Sequence, residues 1–200
     1  LFSDIQSLIF YLMIFAQFLL SLFLSLSAAN SNDLAIPAVK SPALILEIIP
    51  YRYADSIRPA FISLYNPDQQ KFHVLLTNNS EKPIRIWREW CSWGYFSLSF
   101  KIELADGKVL YPKKQRTAWD KNFPDSMEIP PHGHAVFEVN FTNDSSKLGY
   151  WSDSPLNLTT TPITFKMTAL FSIQESPHTK EHKVWTGSIQ SKCEEFTLYH

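Results

Sequence analysis

The chain has 200 residues, with 18 basic against 19 acidic and a formal net charge of −1. Its densest basic stretch is only Lys113-Lys114-Gln115-Arg116. That excludes nucleic acid as a partner, since binding it needs a broad phosphate-neutralising surface, and equally excludes an electrostatic membrane patch. Gly is scarce at 5 and Pro plentiful at 13, punctuating everything after residue 36, which excludes long helices because Pro removes a donor and clashes with the preceding turn.

In chain order, residues 8–26 are apolar apart from Gln17, Ser21 and Ser25, and are closed by Ser27-Ala28-Ala29. Small residues at Ser27 and Ala29 match the positions a signal peptidase reads, so residues 1–29 are expected to be a signal peptide. The alternative is an uncleaved N-terminal anchor, because about 20 apolar residues suffice to span a bilayer. Both readings put the folded part outside the cytoplasm, secreted or in the cell envelope, with a membrane contact only if residues 8–26 stay attached. Residues 30–42 read as a linker, and one domain is expected over 43–200.

Within that domain, strands are predicted at 43–53 with a break at Pro50, at 61–65, at 72–77 and at 83–90. The clearest is 96–104, where Phe96, Leu98, Phe100, Ile102 and Leu104 alternate with Ser97, Ser99, Lys101 and Glu103. Asp106-Gly107 supplies the positive φ angles a tight hairpin demands, and 109–111 returns. Residues 116–127 read as an irregular crossing loop, Pro130-Pro131-His132-Gly133 as a turn, and 135–141 as a strand. A polar insertion covers 143–158, and 163–173 with 184–198 are the expected closing pair.

The regular alternation at 96–104, the Pro-Pro-His-Gly turn before a strand and the final Val184-Trp185-Thr186-Gly187-Ser188-Ile189 run together resemble the immunoglobulin-like and fibronectin-type extracellular modules. The resemblance implies an all-β fold: a single two-layer antiparallel β-sandwich. It is a likeness of architecture, since Trp93 follows Cys91 by two residues and Cys193 lies far beyond the spacing of a true immunoglobulin domain. Such sandwiches host many unrelated functions.

Candidate chemistry is sparse. Cys91 and Cys193 could bridge in an oxidising compartment, or remain two buried thiols. His178-Thr179-Lys180-Glu181-His182 has the H-x-x-E-H spacing that places two zinc ligands and a general base on one helical face. Pro177 and the short polar span favour a hairpin loop with incidental histidines instead. His132 and His134 form a second pair that could join His178 or His182 in a metal site, or simply face solvent. No Gly-rich phosphate loop and no Gly-x-Ser-x-Gly elbow occurs, and no cofactor is implied. Asn78, Asn140, Asn143 and Asn157 each begin an Asn-x-Ser/Thr acceptor pattern.

The aromatic side chains carry more weight. Trp87, Trp90, Trp93, Tyr95 and Phe96 crowd ten residues, and most such rings belong in a core. Trp119, Tyr150 and Trp151 sit in loop-like stretches and are the candidate contact surface, where an indole pairs a flat apolar face with a donor. The expected function is a non-enzymatic, exported β-sandwich that binds or supports an extracytoplasmic protein or glycan. Rival readings are a carbohydrate- or peptide-binding module using an exposed Trp, an inhibitor of a secreted protease, and a zinc hydrolase using His178, Glu181 and His182.

Overall fold

Apolar residues at every second position build sheets that share one buried core. A computed structural model describes residues 42–51, 53–57, 60–63, 71–116, 118–141, 151–153 and 163–199. The leader at 1–29, the linker up to residue 41, Tyr150, Asn143 and Asn157 lie outside them.

A three-stranded antiparallel sheet has the order β1 (Leu44–Ile49), β3 (Lys71–Asn78), β9 (His134–Asn140). Its register sets Leu46 opposite Leu76 and Leu76 opposite Ala135, with Val74 between Ile48 and Phe137. All of these side chains are buried. The second sheet is centred on β5 (Leu98–Leu104) and β11 (Ile163–Ile173), paired so that Phe100 faces Ala169 and Leu98 faces Phe171. Beside this pair run β6 (Val109–Leu110), β7 (Lys113–Lys114), β12 (Gly187–Gln190) and β13 (Glu194–Tyr199), with β10 (Trp151–Ser152) on β7 at one edge. The last edge strand, β2 (Phe61–Ser63), pairs with β13 in parallel, the one departure among the described strands from the expected antiparallel pattern. A separate ribbon pairs β4 (Ile84–Trp87) with β8 (Ser126–Ile129). The protein is therefore all-β, built of several sheets, and compatible with a β-sandwich.

The sheets share one hydrophobic cluster. Phe72 of β3 meets Phe100 of β5 edge to face at 5.5 Å, and Phe137 of β9 meets Phe171 of β11 at 5.6 Å. Each fully buried ring contributes roughly 1.5–3 kcal/mol, with about 0.5–1.5 more for a well-oriented aromatic pair. The opposite face of β5 is charged: Lys101 and Glu103 pair on it, and the hydrogen bond between them holds the Glu103 carboxyl below its ordinary value and raises Lys101.

The hairpin at Asp106-Gly107 forms, but through three residues (105–107) rather than two: the Leu104 N–H donates to the Lys108 carbonyl at 2.9 Å, and Gly107 alone takes a positive φ, 85°, its N–H donating to the Leu104 carbonyl at 3.0 Å. Two further expectations change. Phe96 lies outside the strand and is half-exposed, so the alternation begins at Leu98. The single closing strand at 184–198 is two strands that both pair with β11, β13 against its first half and β12 against its last four residues. Ser191 breaks them apart: its hydroxyl accepts the Ala169 N–H at 2.9 Å and donates to the Lys192 carbonyl at 2.8 Å, replacing a rung of the ladder.

Asn78 ends β3 at full burial, and its side-chain amide is consumed by the fold. Nδ2 donates to the carbonyls of Lys82 (2.8 Å), Ile129 (3.0 Å) and Pro130 (3.1 Å), while Oδ1 accepts from the Ser80 N–H and hydroxyl. It ties the turn after β3 to the end of β8, and the folded chain cannot present this Asn as a glycan acceptor. Replacing Asn78 with Ala orphans buried carbonyls and is expected to cost about 2–4 kcal/mol in the free energy of urea unfolding.

Candidate functional site

The β4–β8 ribbon carries the chain into a cluster of aromatic side chains. Arg85 pairs with Glu128 across it at 3.3 Å, and Arg88 with Asp125 at 3.2 Å. After Trp87 the chain turns into α1 (Ser92–Tyr95), a single helical turn unmarked by any capping side chain of its own. Its first N–H is satisfied from outside, by Asn122 Oδ1 at 3.0 Å, and Asn122 Nδ2 returns a bond to Ser92 Oγ at 2.8 Å. Cys91 is buried beneath, its thiol donating to the Arg88 carbonyl at 3.2 Å. Gly94 is the only residue type that fits: a Cβ there would stand 2.2 Å from the Arg88 carbonyl oxygen.

Successive helical residues are rotated by about 100°, so Trp93 and Tyr95, two apart, leave α1 on nearly opposite sides. On the Tyr95 side, Trp119 packs edge to face on the Tyr95 ring at 5.2 Å and is half-buried. The Lys114 ammonium lies 4.9 Å from the centre of the Tyr95 ring and 5.8 Å from that of Trp151, and is ion-paired with Glu89. A buried cation is thus met by a carboxylate and two ring faces. Tyr95, Trp119, Lys114 and Glu89 bound an open cleft of about 640 Å³ that Trp90, Asp120, Lys121 and Glu138 also line, Glu138 being paired with Lys71 at 3.0 Å. Trp90 is held in place by a 2.9 Å bond from Nε1 to Asp125 and by the ring of Phe123 at 4.9 Å.

On the Trp93 side, Trp93 contacts Trp87 at 6.3 Å and His178 at 5.3 Å, while Trp87 also meets His182 at 5.2 Å. Both histidines come from α2 (Pro177–Glu181) and its C-terminal edge. This segment is a short helix rather than a hairpin loop. Ser176 caps it, accepting from the Thr179 N–H at 3.2 Å while Thr179 Oγ1 accepts from the Ser176 N–H at 2.8 Å, and Pro177 occupies the first helical position, where its missing N–H costs nothing. The His-x-x-Glu-His spacing therefore does fall on helix, but its two rings pack against indoles. His178 Nδ1 stands 3.9 Å from Glu181.

The other sequence candidates scatter. His132 pairs with Glu81 at 3.2 Å, and His134 is exposed on β9 opposite Thr77. Among the described residues no group of three or more His, Cys, Asp or Glu side chains is gathered as a metal site would require. Trp151 corrects the loop reading: it belongs to β10, is 3% exposed, and packs on Phe100 at 5.4 Å and Phe141 at 5.5 Å. Cys91 and Cys193 do not form the bridge considered from sequence. Both are free, Cys91 enclosed under α1 and Cys193 outward in the break between β12 and β13. Of the rings singled out in the loops, Trp119 alone lines an open surface among the described residues, and its partners Tyr95, Lys114 and Glu89 had no sequence signal joining them. Compared with known protein families, curated proteins and solved structures, the chain matches none.

Two measurements follow from this geometry. A thiol reagent is expected to label Cys193 alone in the native protein, and Cys91 as well only after unfolding. Gly94→Ala must push α1 off the Arg88 carbonyl, so it is expected to cost about 1–3 kcal/mol in denaturant unfolding and to move the tryptophan emission with it.

Proposed function

We propose that the chain is a non-enzymatic, exported binding module, an immunoglobulin-like β-sandwich that meets its ligand at the Trp119 cleft. One observation carries this reading. Trp119 is braced against Tyr95 yet still faces an open cleft, over a floor where Lys114 and Glu89 neutralise each other. A flat apolar wall beside paired polar groups suits a ligand with one apolar face and polar edges, such as a sugar ring or a peptide side chain. Trp90, itself 42% exposed, adds a second indole to the lining of the same cleft. The export half of the proposal rests on the apolar run at 8–26 and its small-residue exit.

The test is capture from glycan and peptide arrays by the full chain, compared with Trp119→Ala. Loss of the indole wall is expected to weaken binding about tenfold, with the unfolding midpoint unchanged because the ring is only half-buried. Equal binding by the variant would remove Trp119 from the contact surface. Turnover of an array ligand, lost on substitution of a cleft residue, would replace the binding module with an enzyme.

A further inference from the structure

The Trp93 side of α1 holds a second groove, of about 450 Å³, within the range of small-molecule sites of roughly 300–1,000 Å³. Its lining differs in kind from that of the Trp119 cleft. Trp93 and the half-exposed ring of Phe96 supply apolar surface, and Ser97, Ser172, Gln174 and Ser176 supply hydroxyls and an amide. No Asp, Glu, Lys or Arg is among the described residues that line it. Glu175, between Gln174 and Ser176, is neutralised by Lys180 at 2.6 Å, and Arg88, next to Trp87, by Asp125 at 3.2 Å.

The polar groups are also uncommitted in a specific way. Ser176 Oγ accepts from the Thr179 N–H, which leaves its own proton to donate. The backbone is spoken for: the Ser172 N–H donates to the Ser97 carbonyl at 2.9 Å, and the Ser97 N–H to the Gly94 carbonyl at 3.1 Å. The side chains of Ser97, Ser172 and Gln174 remain to bond whatever enters. Aromatic faces stack on the C–H face of a pyranose, and neutral donors and acceptors match its ring of hydroxyls without the cost of desolvating a charge.

We infer that the groove between α1 and the end of β11 is a binding site for a neutral oligosaccharide, separate from the Trp119 cleft. Trp93 and Phe96 hold the sugar ring, and Ser97, Ser172, Gln174 and Ser176 read its hydroxyls. The site is held rigidly, because Trp93 is backed by Trp87 and His178, and Ser176 is fixed by the cap of α2.

The experiment is saturation-transfer NMR with a fluorescence titration of the full chain, using cellopentaose, xylopentaose, maltopentaose and chitopentaose as probes. At least one is expected to bind saturably. Phe96→Ala and Gln174→Ala, substitutions of two exposed side chains that line the groove, are each expected to weaken that binding about fivefold, and Trp119→Ala to leave it unchanged. Circular dichroism confirms that each variant is folded. Two results overturn the inference: no saturable signal with any of the four sugars, or a sugar that binds Phe96→Ala and Gln174→Ala as tightly as it binds the parent chain. Should that sugar instead be lost in Trp119→Ala, the groove is excluded and the proposed function at the Trp119 cleft survives. Should peptides bind through Trp119 while the sugars bind through Phe96 and Gln174, both readings stand independently.

Discussion

The edge-to-face contact of Phe72 with Phe100 joins the two sheets, and much of the molecule is arranged around it. Phe141 closes on both rings at 5.2 Å, and Trp151 closes on Phe141 and Phe100. Four large rings from β3, β5, β10 and the residue after β9 thus occupy one end of the core. The quartet also decides where the surface chemistry lies. With Trp151 turned inward, its outer neighbour Lys114 is pinned against it, and Lys114 in turn steers Glu89 and Tyr95 into place.

The strands were legible because their period was strict. Leu98, Phe100 and Ile102 repeat every second residue with charged or hydroxyl residues between them, and no helix could bury that pattern on one face. Asp106-Gly107 announced its hairpin by backbone preference alone. The pairing was not legible: nothing in 61–65 signals a parallel partner in β13. Nor does 184–198 reveal that a serine hydroxyl stands in for a backbone rung at Ser191. Both are long-range choices made by the neighbouring strand.

The candidate site was legible only in part, for a physical reason that differs at each residue. Pro177 reads as a helix breaker when the local window is all that is weighed, yet Ser176 and Thr179 around it form a reciprocal cap in which Pro is the preferred first residue. Four residues of α1 are too few for periodicity, and its N-terminal N–H is satisfied by Asn122, thirty positions away. Trp119 and Trp151 look alike in sequence, each beside polar residues. One is pulled under by two phenylalanines and the other is stopped halfway by a tyrosine, and only tertiary packing tells them apart.

Rigidity is what gives α1 its value as a scaffold for recognition. An isolated helical turn does not persist in water, since nucleation fixes several dihedrals for one hydrogen bond. Here the turn is clamped at two points: Asn122 at its start and Gly94 against the Arg88 carbonyl beneath. The loop that brings Trp119 is fastened at Asn122 and again at Asp125, which holds both Arg88 and Trp90. A ligand meeting surfaces held in this way does not have to order them, and avoids about 0.5–1.5 kcal/mol for each side chain it would otherwise immobilise. Because Trp93 and Tyr95 leave the same turn in opposite directions, one small clamp fixes the wall of the cleft and the wall of the groove together. A displacement of α1 therefore disturbs both surfaces, whereas a change at Gln174 or Trp119 reaches only one.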